Sequence, residues 1–432
     1  MTSGADRVAN CQQPSEAPGD ELDGPCPAGP YRRRGWAPLV RVRQAAWRLR
    51  TPPLWAYGPR STLEAPATGP ARAAVPAVDF HTHLGRWTSA SGRWQVQDVG
   101  ELVASLDAMN IERLVNLDGR WGRELEENLD RYDRAHPGRF ATFCHLDWRL
   151  LELRDCEARL VRSLQRSVDA GARGLKVWKD LGLWVRAQGR RVRLDDPRLG
   201  PVWAAAGDAG IPVLAHVADP VAFFHPADRH NERLEEMLRY PRLSRHSGGI
   251  DEFRRLLDIL ERVVSSNPGT SFVAAHACYA ENLAYLSSML RRHPNLSIDI
   301  SAAANSIGRQ PRAARDLALR HPDRVLFGTD TLGFNPDSLR TYFRLLETAD
   351  EAFPYADERR PWSGRWPIYG LDLPAPVLRQ VYRDNARRLL GLRAAAHAAT
   401  HAGGPSDPTA SAGSGAVGSS ARDVFGGTRA AP

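Results

Sequence analysis

Short apolar runs alternate with amphipathic helical patterns along the middle of the chain, from about residue 76 to residue 393. Each run has the length of a buried strand, and the stretches between them repeat apolar positions every three or four residues. The predicted strands span residues 77–83, 111–118, 140–146, 173–178, 211–217, 271–277, 295–301 and 324–329. Eight strands alternating with helices predict an α/β fold, a closed (β/α)8 TIM-type barrel. An open doubly wound sheet is the alternative, but no glycine-rich nucleotide-binding turn follows the first strand.

The two ends of the chain lack this alternation. Residues 1–75 are rich in proline and arginine, and residues 394–432 are rich in alanine, glycine and serine. Such segments bury too little apolar surface to form a core, so both extensions are predicted to be largely disordered. The predicted organisation is therefore an N-terminal extension (1–75), a barrel domain (76–393) and a C-terminal tail (394–432).

Composition narrows the class of protein. With 42% hydrophobic and 25% charged residues, the chain has the composition of a soluble globular protein. No apolar stretch is long enough to span a bilayer. The five cysteines form no CxxC pair, which favours a reducing compartment and predicts a cytoplasmic protein. Residues 31–75 hold nine arginines and one glutamate, which equals the whole net charge of +8, so charge alone does not predict a nucleic-acid-binding barrel.

Side chains able to bind a metal stand at the ends of four predicted strands. The first strand ends with His81 and His83, and later strands end at His216, His276 and Asp330. Because successive strand residues point to opposite faces, His81 and His83 share a face and can hold one ion between them. Neutral imidazoles and a carboxylate bind zinc-like ions in sites that keep one position open for water or substrate. The pattern predicts a metal enzyme.

The same alternation assigns faces within the predicted strands. In the first strand it turns Asp79 toward the barrel axis, with the two histidines, and turns Val78 and Phe80 toward the helices. In the sixth strand it places every second residue up to His276 on one face. Asp299 in the seventh strand also faces the axis. Asp79 and Asp299 are therefore predicted to lie behind the metal ligands and to orient the histidines through hydrogen bonds.

Lysine is scarce in this chain. Of 58 lysine and arginine residues only two are lysines, Lys176 and Lys179, and both lie at the end of the fourth strand. Among basic side chains, only lysine offers an amine that readily changes its protonation or becomes carboxylated. Lys176 and Lys179 are predicted to contact an anionic substrate. Arg120, Tyr279 and Asn305 follow inward strand ends and are further candidates for substrate contact.

With these residues the chain resembles the amidohydrolase superfamily, in its family-2 branch of metal-dependent hydrolases and decarboxylases. The resemblance covers about residues 76–392. It rests on six segments: DFHTH (79–83), GLKVWKD (174–180), LAHVADP (214–220), AAHACYAEN (274–282), LFGTDT (326–331) and VYRDNARRLLGL (381–392). No segment is specific by itself, but the ordered set is.

The resemblance implies roles for the strand-end residues. One divalent ion, zinc or alternatively manganese, is implied to be bound by His81, His83, His216 and Asp330. His276 beside the ion is implied to be the catalytic acid/base or polarising group. Asp330 is also a catalytic candidate, because it can take a proton from metal-activated water and return it to the leaving group. A second ion bridged by carboxylated Lys176 occurs in other branches and fits this branch less well.

The predicted function is hydrolysis of a C–O or C–N bond in a small, anionic carbonyl or carboxylate compound. Non-oxidative decarboxylation on the same metal site stays open, because the branch contains both chemistries. A third interpretation is a non-catalytic barrel that binds nucleic acid through the arginine-rich residues 31–75, and the intact ligand set argues against it. The resemblance is consistent with a homodimer, and no membrane partner is expected.

Overall fold

The computed structural model describes residues 62–244, 248–356 and 363–392. Almost all of these belong to one compact unit, Ala65–Asp357 with Pro361–Pro432. Of the other unit, Met1–Glu64 with Glu358–Arg360, only residues 62–64 are described, and they form neither helix nor strand. The extensions predicted to be disordered thus lie largely outside the described residues. Within the described part of the chain, no helix combines the length and hydropathy that crossing a membrane requires.

Eight parallel strands form the barrel. They are β1 (Ala77–His83), β2 (Ile111–Asn116), β3 (Phe140–Thr142), β4 (Leu175–Val177), β5 (Val213–Ala215), β6 (Phe272–Ala274), β7 (Leu296–Asp299) and β8 (Val325–Leu326). Strands β1 to β3 pair in sequence order, as do β4 to β8. Cys144 bridges Leu175 between β3 and β4, and Thr331–Leu332, just after β8, pairs with β1. The strands therefore close into a (β/α)8 barrel, which confirms the predicted fold class.

One long helix follows each strand. These are α1 (Val99–Ala108), α2 (Gly122–Leu129), α3 (Cys156–Ala170), α4 (Gly200–Asp208), α5 (Gly249–Ser266), α6 (Leu283–Arg292), α7 (Pro311–Arg320) and α8 (Pro336–Glu347). A closing helix follows in three consecutive segments, Ala375–Arg379, Gln380–Asp384 and Asn385–Leu389. Shorter elements are the helical turns Asp130–Arg134, Trp148–Glu152, Asp180–Leu183, Pro197–Leu199, Val221–Phe224, Leu234–Arg239, Pro241–Leu243, Ala275–Ala277 and Ala304–Ile307, and the strand pair Arg186–Ala187 and Arg190–Arg191.

The helices cover the barrel through one apolar face each. In α5, Phe253, Leu257, Leu260 and Val264 are all buried and follow one another at intervals of three or four residues. This spacing keeps them on one side of a helix with 3.6 residues per turn. They join the larger apolar cluster, which also contains the outward strand residues such as Leu175. The helical periodicity in the sequence is thus the packing surface of the barrel wall.

A smaller apolar cluster fills the barrel interior below the strand ends. It consists of Val78, Phe80, Val115, Leu117, Ala141, Phe143, Leu214, Val273, Ala275 and Leu326 from six strands, with Ala386, Leu389 and Leu390 near the C-terminal end of the closing helix. The rings of Phe80 and Phe143 meet edge to face, with their centroids 5.7 Å apart. Val78 and Phe80 belong to this cluster, so their predicted orientation toward the helices is wrong. Register shifts at Ala77/Val78 and Asp79/Thr82 break the alternation of β1.

Residues that precede the predicted barrel boundary at residue 76 are hydrogen-bonded to the barrel domain. The backbone and hydroxyl of Thr68 donate hydrogen bonds of 2.9 and 2.6 Å to the Asp350 carboxylate. The backbone N–H of Ala73 donates to the carbonyl of Met109 at 3.1 Å. The last residues of the predicted disordered extension are therefore bound to the barrel. Apolar patterning missed them because hydrogen bonds to polar groups hold this segment.

Gly174 provides a test of interior packing. A Cβ on Gly174 would overlap the fully buried ring of Phe143, so Gly174→Ala should lower stability by about 1–3 kcal/mol. Gly269→Ala is the matched control, because no atom lies within 4 Å of its added Cβ. Thermal unfolding of both variants measures the difference. Equal unfolding temperatures would contradict the packing described for the interior.

Candidate metal centre

Three donor atoms converge where β1 meets the end of β8. The Nε2 atoms of His81 and His83 lie 3.3 and 3.2 Å from the same oxygen, Oδ1 of Asp330. Both histidines are buried, and Asp330 is partly exposed. The register shift between Asp79 and Thr82 brings the two histidines to the barrel mouth although Phe80 also points inward. The predicted grouping of these three residues is therefore present in the structure.

The distances between these donors suit a bound metal ion. Ligands at about 2.0–2.1 Å from a tetrahedral zinc ion stand about 3.3 Å apart, which matches the two observed separations. Two imidazoles and a carboxylate are also the donor types that zinc accepts in catalytic sites. One ligand atom from each residue lies within 4.8 Å of the others. The residues present thus fit a divalent ion.

His276 and His216 complete the group of strand-end histidines. Nε2 of His276 lies 3.3 Å from Nδ1 of His216, and its ring centroid lies 4.8 Å from that of His81. Alternation along β6 does not explain this position, because Phe272 and Ala274 pack in the larger cluster against the helices. Strand β6 ends at Ala274, and His276 adopts a left-handed backbone with φ 57°. The turn after the strand, rather than the strand, aims His276 at the site.

Left-handed backbone recurs around the site. Ala277 and Cys278 follow His276 with φ of 54° and 39°, and Asp330 has φ 63°. Non-glycine residues avoid this region because the Cβ approaches the backbone, at a cost of roughly 1–3 kcal/mol each. Asp330 N–H donates to the carbonyl of His81 at 2.8 Å, which helps to hold its strained geometry. The clustering of such residues at the barrel mouth is typical of functional sites.

Two carboxylates set the orientation of the histidine rings. Nδ1 of His81 lies 2.9 Å from Asp299 Oδ2, and Nδ1 of His83 lies 2.6 Å from Asp118 Oδ1. The Nδ1–H of each ring donates to its carboxylate, so Nε2 is the nitrogen of each ring that faces the metal position. Asp299 was among the predicted residues. Asp118 was missed, although it ends the apolar run of the second strand as the other candidates end theirs.

Asp79 acts on the backbone instead of on a histidine ring. Its carboxylate accepts hydrogen bonds from the N–H of His81 at 3.1 Å and of Thr329 at 3.0 Å, and from the Thr329 hydroxyl. It therefore ties β1 to the residue before Asp330. Ser301 is a second residue that sequence patterns missed, and its Oγ lies 2.9 Å from Nδ1 of both His81 and His276.

Burial and the surrounding charges shift the pKa values of His81, His83 and Asp330 in different directions. Burial and nearby Lys176 lower the pKa of His81 to about 4. Burial alone would lower the pKa of His83, but Asp118 and Asp330 raise it to about 9. Burial would raise the pKa of Asp330, but His81 and His83 hold it below its usual range. A divalent ion bound here would be held by the neutral imidazole of His81 and the carboxylate of Asp330, and its binding would release the proton of His83.

The two lysines occupy different positions beside the site. Nζ of Lys176 is buried and lies 3.3 Å from Nε2 of His81, and burial lowers its pKa to about 8. Lys179 lies three residues further along the chain, beyond the end of β4, and its ammonium pairs with Asp219. Lys176 is thus close enough to a metal for either a polar contact or a bridging role. The predicted substrate contacts of both lysines stay predictions.

A cleft with two lobes opens at the metal residues. The first lobe has a volume of about 580 Å³ and the second about 390 Å³. Both are lined by Lys179, His216, His276, Ala302 and Asp330. Volumes of this size are usual for small-molecule sites. The described part of the chain therefore presents the metal residues to a cavity that can hold a small substrate.

The other predicted substrate residues are divided between the cleft and its surroundings. Asn305 lines the first lobe. Arg120 lines neither lobe and places its guanidinium over the rings of Trp87 and Trp121, with 4.8 and 4.1 Å to the centroids. Tyr279 also lines neither lobe and packs against Phe253 and Tyr285. The structure thus brings Asn305 and Lys179 to the cleft but leaves Lys176, Arg120 and Tyr279 outside its lining.

Comparison with known protein families places the chain in one family. Residues 78–392 match the model of the family described as Amidohydrolase, in its second group. The match covers the barrel from β1 to the closing helix and includes every candidate metal ligand. The chain therefore belongs to this amidohydrolase family. No curated protein shows significant similarity to the chain.

Several solved structures with low sequence identity match this chain over most of their own length. An uncharacterized TIM-barrel protein from Bordetella bronchiseptica has 16% identity and a TM-score of 0.45, covering 73% of this chain and 98% of its own. An amidohydrolase from Burkholderia multivorans with bound zinc has 15% identity and a TM-score of 0.45, covering 73% and 99%. The 5-carboxyvanillate decarboxylase of Novosphingobium aromaticivorans, with bound manganese, has 13% identity and a TM-score of 0.43, covering 74% and 97%.

Asp118 should control metal affinity although it does not reach the metal position itself. Asp118→Asn removes the charged acceptor that orients His83, and we expect zinc affinity to fall about 10–100-fold. Asp147→Asn is the matched control, since Asp147 caps the turn Trp148–Glu152 and lines neither lobe. Competition with a chromophoric chelator measures both affinities. An unchanged affinity in Asp118→Asn would show that the negative charge of Asp118 is not needed for zinc binding.

Proposed function

We propose that the protein is a metal-dependent hydrolase that cleaves a C–O or C–N bond in a small carbonyl or carboxylate compound. One observation carries this proposal: Nε2 of His81 and Nε2 of His83 lie 3.3 and 3.2 Å from the same Asp330 oxygen, and all three residues line a cleft. His216 is the fourth proposed ligand, and zinc the proposed ion with manganese as the alternative. Membership of the amidohydrolase family supports a hydrolytic enzyme.

The ion, when bound, supplies a Lewis acid that lowers the pKa of water and polarises a substrate oxygen. Asp330 has one carboxylate oxygen beside both histidines, and its ionised form is favoured by them. It can accept a proton from the attacking water and deliver it to the leaving oxygen or nitrogen. The partly exposed position of Asp330 in both lobes gives it access to substrate.

His276 has a defined tautomer in this arrangement. Its Nδ1 lies 2.9 Å from the backbone carbonyl of Ser301, which can only accept, so Nδ1 carries a proton. The neutral ring therefore has its lone pair on Nε2, where it accepts from Nδ1 of His216 at 3.3 Å. This contact leaves Nε2 of His216 for the metal. His276 is the proposed acid/base beside the metal.

Non-oxidative decarboxylation is the second candidate, and the residues that line the cleft favour it as well. Lys179 lines both lobes and offers a cation for a substrate carboxylate. In that reaction Asp330 would first take a proton from water or a substrate hydroxyl and then deliver it to the carbon that loses carbon dioxide. The donor set is the same for both reactions. Hydrolysis is proposed first because membership of the amidohydrolase family supports it.

Metal content and an Asp330 variant test the proposed chemistry. We expect one zinc or manganese per chain after purification without chelators, measured by elemental analysis. Asp330→Asn should weaken metal binding and lower turnover at least about 100-fold, because it removes both a ligand and the proton carrier. Asp337→Asn is the control, because Asp337 lies at the start of α8 and pairs with Arg340.

Three other results have distinct meanings. Two ions per chain would replace the single-ion proposal with a bridging, carboxylated Lys176. Carbon dioxide release from carboxylated aromatic compounds, without hydrolysis of lactones or amides, would replace hydrolysis with decarboxylation. No metal after reconstitution would refute the proposed function and leave the barrel without a catalytic assignment. The non-catalytic interpretation would then return; its arginine-rich arm falls mostly outside the described residues.

A further inference from the structure

A short segment after β7 lies between the two lobes of the cleft. Ala304 and Asn305 line the first lobe, Ala303 and Ser306 line the second, and Ala302 lines both. This segment, residues 302–306, is termed the partition. It separates cavities of about 580 and 390 Å³, so its position decides how much space each lobe offers to a ligand.

The partition depends on outside contacts for its conformation. It begins at Ala302, whose backbone is left-handed with φ 49°, and continues into the single helical turn Ala304–Ile307. An alanine is strained in that region because its Cβ approaches the backbone, and such a conformation persists only where surrounding contacts enforce it. One helical turn is also too short to be stable without tertiary contacts.

Arg233 supplies several of these contacts. It lies in the long connection between β5 and α5, and it is 2% exposed. Its Nη2 donates to Asn305 Oδ1 at 3.5 Å and to Ser306 Oγ at 3.4 Å. Its Nη1 donates to Glu236 Oε2 at 3.0 Å and to Ser363 Oγ at 3.2 Å. One guanidinium thus joins the partition to two other segments of the chain.

Ser363 adds a direct bond to the same network. Its hydroxyl accepts from Asn305 Nδ2 at 2.8 Å, so Asn305 is bound to Ser363 both directly and through Arg233. The side chains of Arg233, Glu236, Asn305, Ser306 and Ser363 are all buried, with exposures of 0–3%. Hydrogen bonds are strong in such surroundings, and the loss of a partner is costly. Removal of the Arg233 guanidinium would therefore weaken the hold on both polar side chains of the partition.

A second arginine supports the partition at its backbone. Nε of Arg309 donates to the carbonyl of Asn305 at 3.0 Å, and its guanidinium pairs with Glu232. Glu232 precedes Arg233 in the chain, so the same connection supports the partition at two points. The Arg309 side chain is 26% exposed, and ion pairs near water contribute less than buried networks. Arg233 is therefore the stronger support.

We propose that Arg233 is a positioning residue that keeps the partition in place and thereby keeps the cleft divided. It acts through Asn305 and Ser306 rather than through a contact of its own with the ligand. The divided cleft selects ligands by the size of the groups that each lobe admits. The selection of a substrate in this way rests on the proposed function, whereas the hold on the partition does not.

Hydrogen exchange at the partition tests the proposal without a substrate. The N–H groups of Ser306 and Ile307 donate to the carbonyl of Ala303, and the N–H of Gly308 donates to that of Ala304. Exchange at these three amides therefore reports the opening of the turn. Mass spectrometry of peptides that contain them measures the rate in the full chain.

Arg233→Lys is the variant to compare with the unaltered protein. An ammonium can keep the pair with Glu236 but lacks the planar fork that also reaches the partition. We expect the three amides to exchange about tenfold faster, because two hydrogen bonds from a charged donor are lost. Arg344→Met is the matched control, because Arg344 also pairs with a buried carboxylate and lies over a phenylalanine ring but lines neither lobe.

The exchange results decide between a specific and a general effect. Unchanged exchange in folded Arg233→Lys, or an equal rise in Arg344→Met, would overturn the proposal. If Arg233→Lys does not fold, Ser363→Ala replaces it, because this change removes an acceptor shared by Arg233 and Asn305 without leaving a buried charge. Faster exchange at the same amides would then support the proposal, and unchanged exchange would refute it.

Ester hydrolysis by the metal-loaded enzyme tests the consequence for selectivity. The probes are p-nitrophenyl acetate, butyrate and octanoate, which differ only in the length of the acyl chain. Arg233→Lys should raise kcat/KM for the octanoate relative to the acetate about tenfold at unchanged metal content, because a loosened partition admits longer groups. An unchanged ratio would overturn the size selection. If the unaltered enzyme hydrolyses none of these esters, the proposed function fails for esters, and the exchange measurement alone decides the role of Arg233.

Discussion

The shared contact of two buried imidazoles with one carboxylate oxygen is the interaction on which the site depends. His81 and His83 meet Oδ1 of Asp330 inside the mouth of a barrel whose interior is otherwise apolar. Such a group is stable only if every donor and acceptor is satisfied from behind. Asp299 and Asp118 do this for the rings. The apolar cluster below them keeps water out and gives these contacts a low dielectric surrounding.

The ends of the strands are where regular structure gives way to chemistry. Strands β6 and β8 end earlier than their apolar runs, and the residues that follow bend into left-handed backbone at His276 and Asp330. Regular strands could aim only every second residue at the axis. The turns free the site from that rule, because they present side chains at angles that a strand does not allow. The left-handed backbone at His276 and Asp330 makes these turns less stable than regular strands would be.

Much of the fold could be predicted from the sequence, because a barrel strand is buried on both faces and its sequence is therefore a short apolar run. All eight strands were predicted, as were the residues that converge on the metal position. The orientation of Phe80 was not, since a register shift leaves no mark in hydrophobicity. Ser301 was also missed, because its role comes from contacts with residues far away in the chain, such as His81. No periodic pattern encodes such contacts.

The proposed metal site lies where the first and last strands of the barrel meet. β1 and the segment after β8 pair regularly over only two positions, Thr82 with Thr331 and His83 with Leu332. The proposed ligands lie on both sides of this seam, with His81 and His83 on the first strand and Asp330 on the last. An ion bound there would also join the beginning of the barrel to its end. A bound ion would therefore stabilise the closure of the barrel with the same residues that are proposed to take part in the reaction.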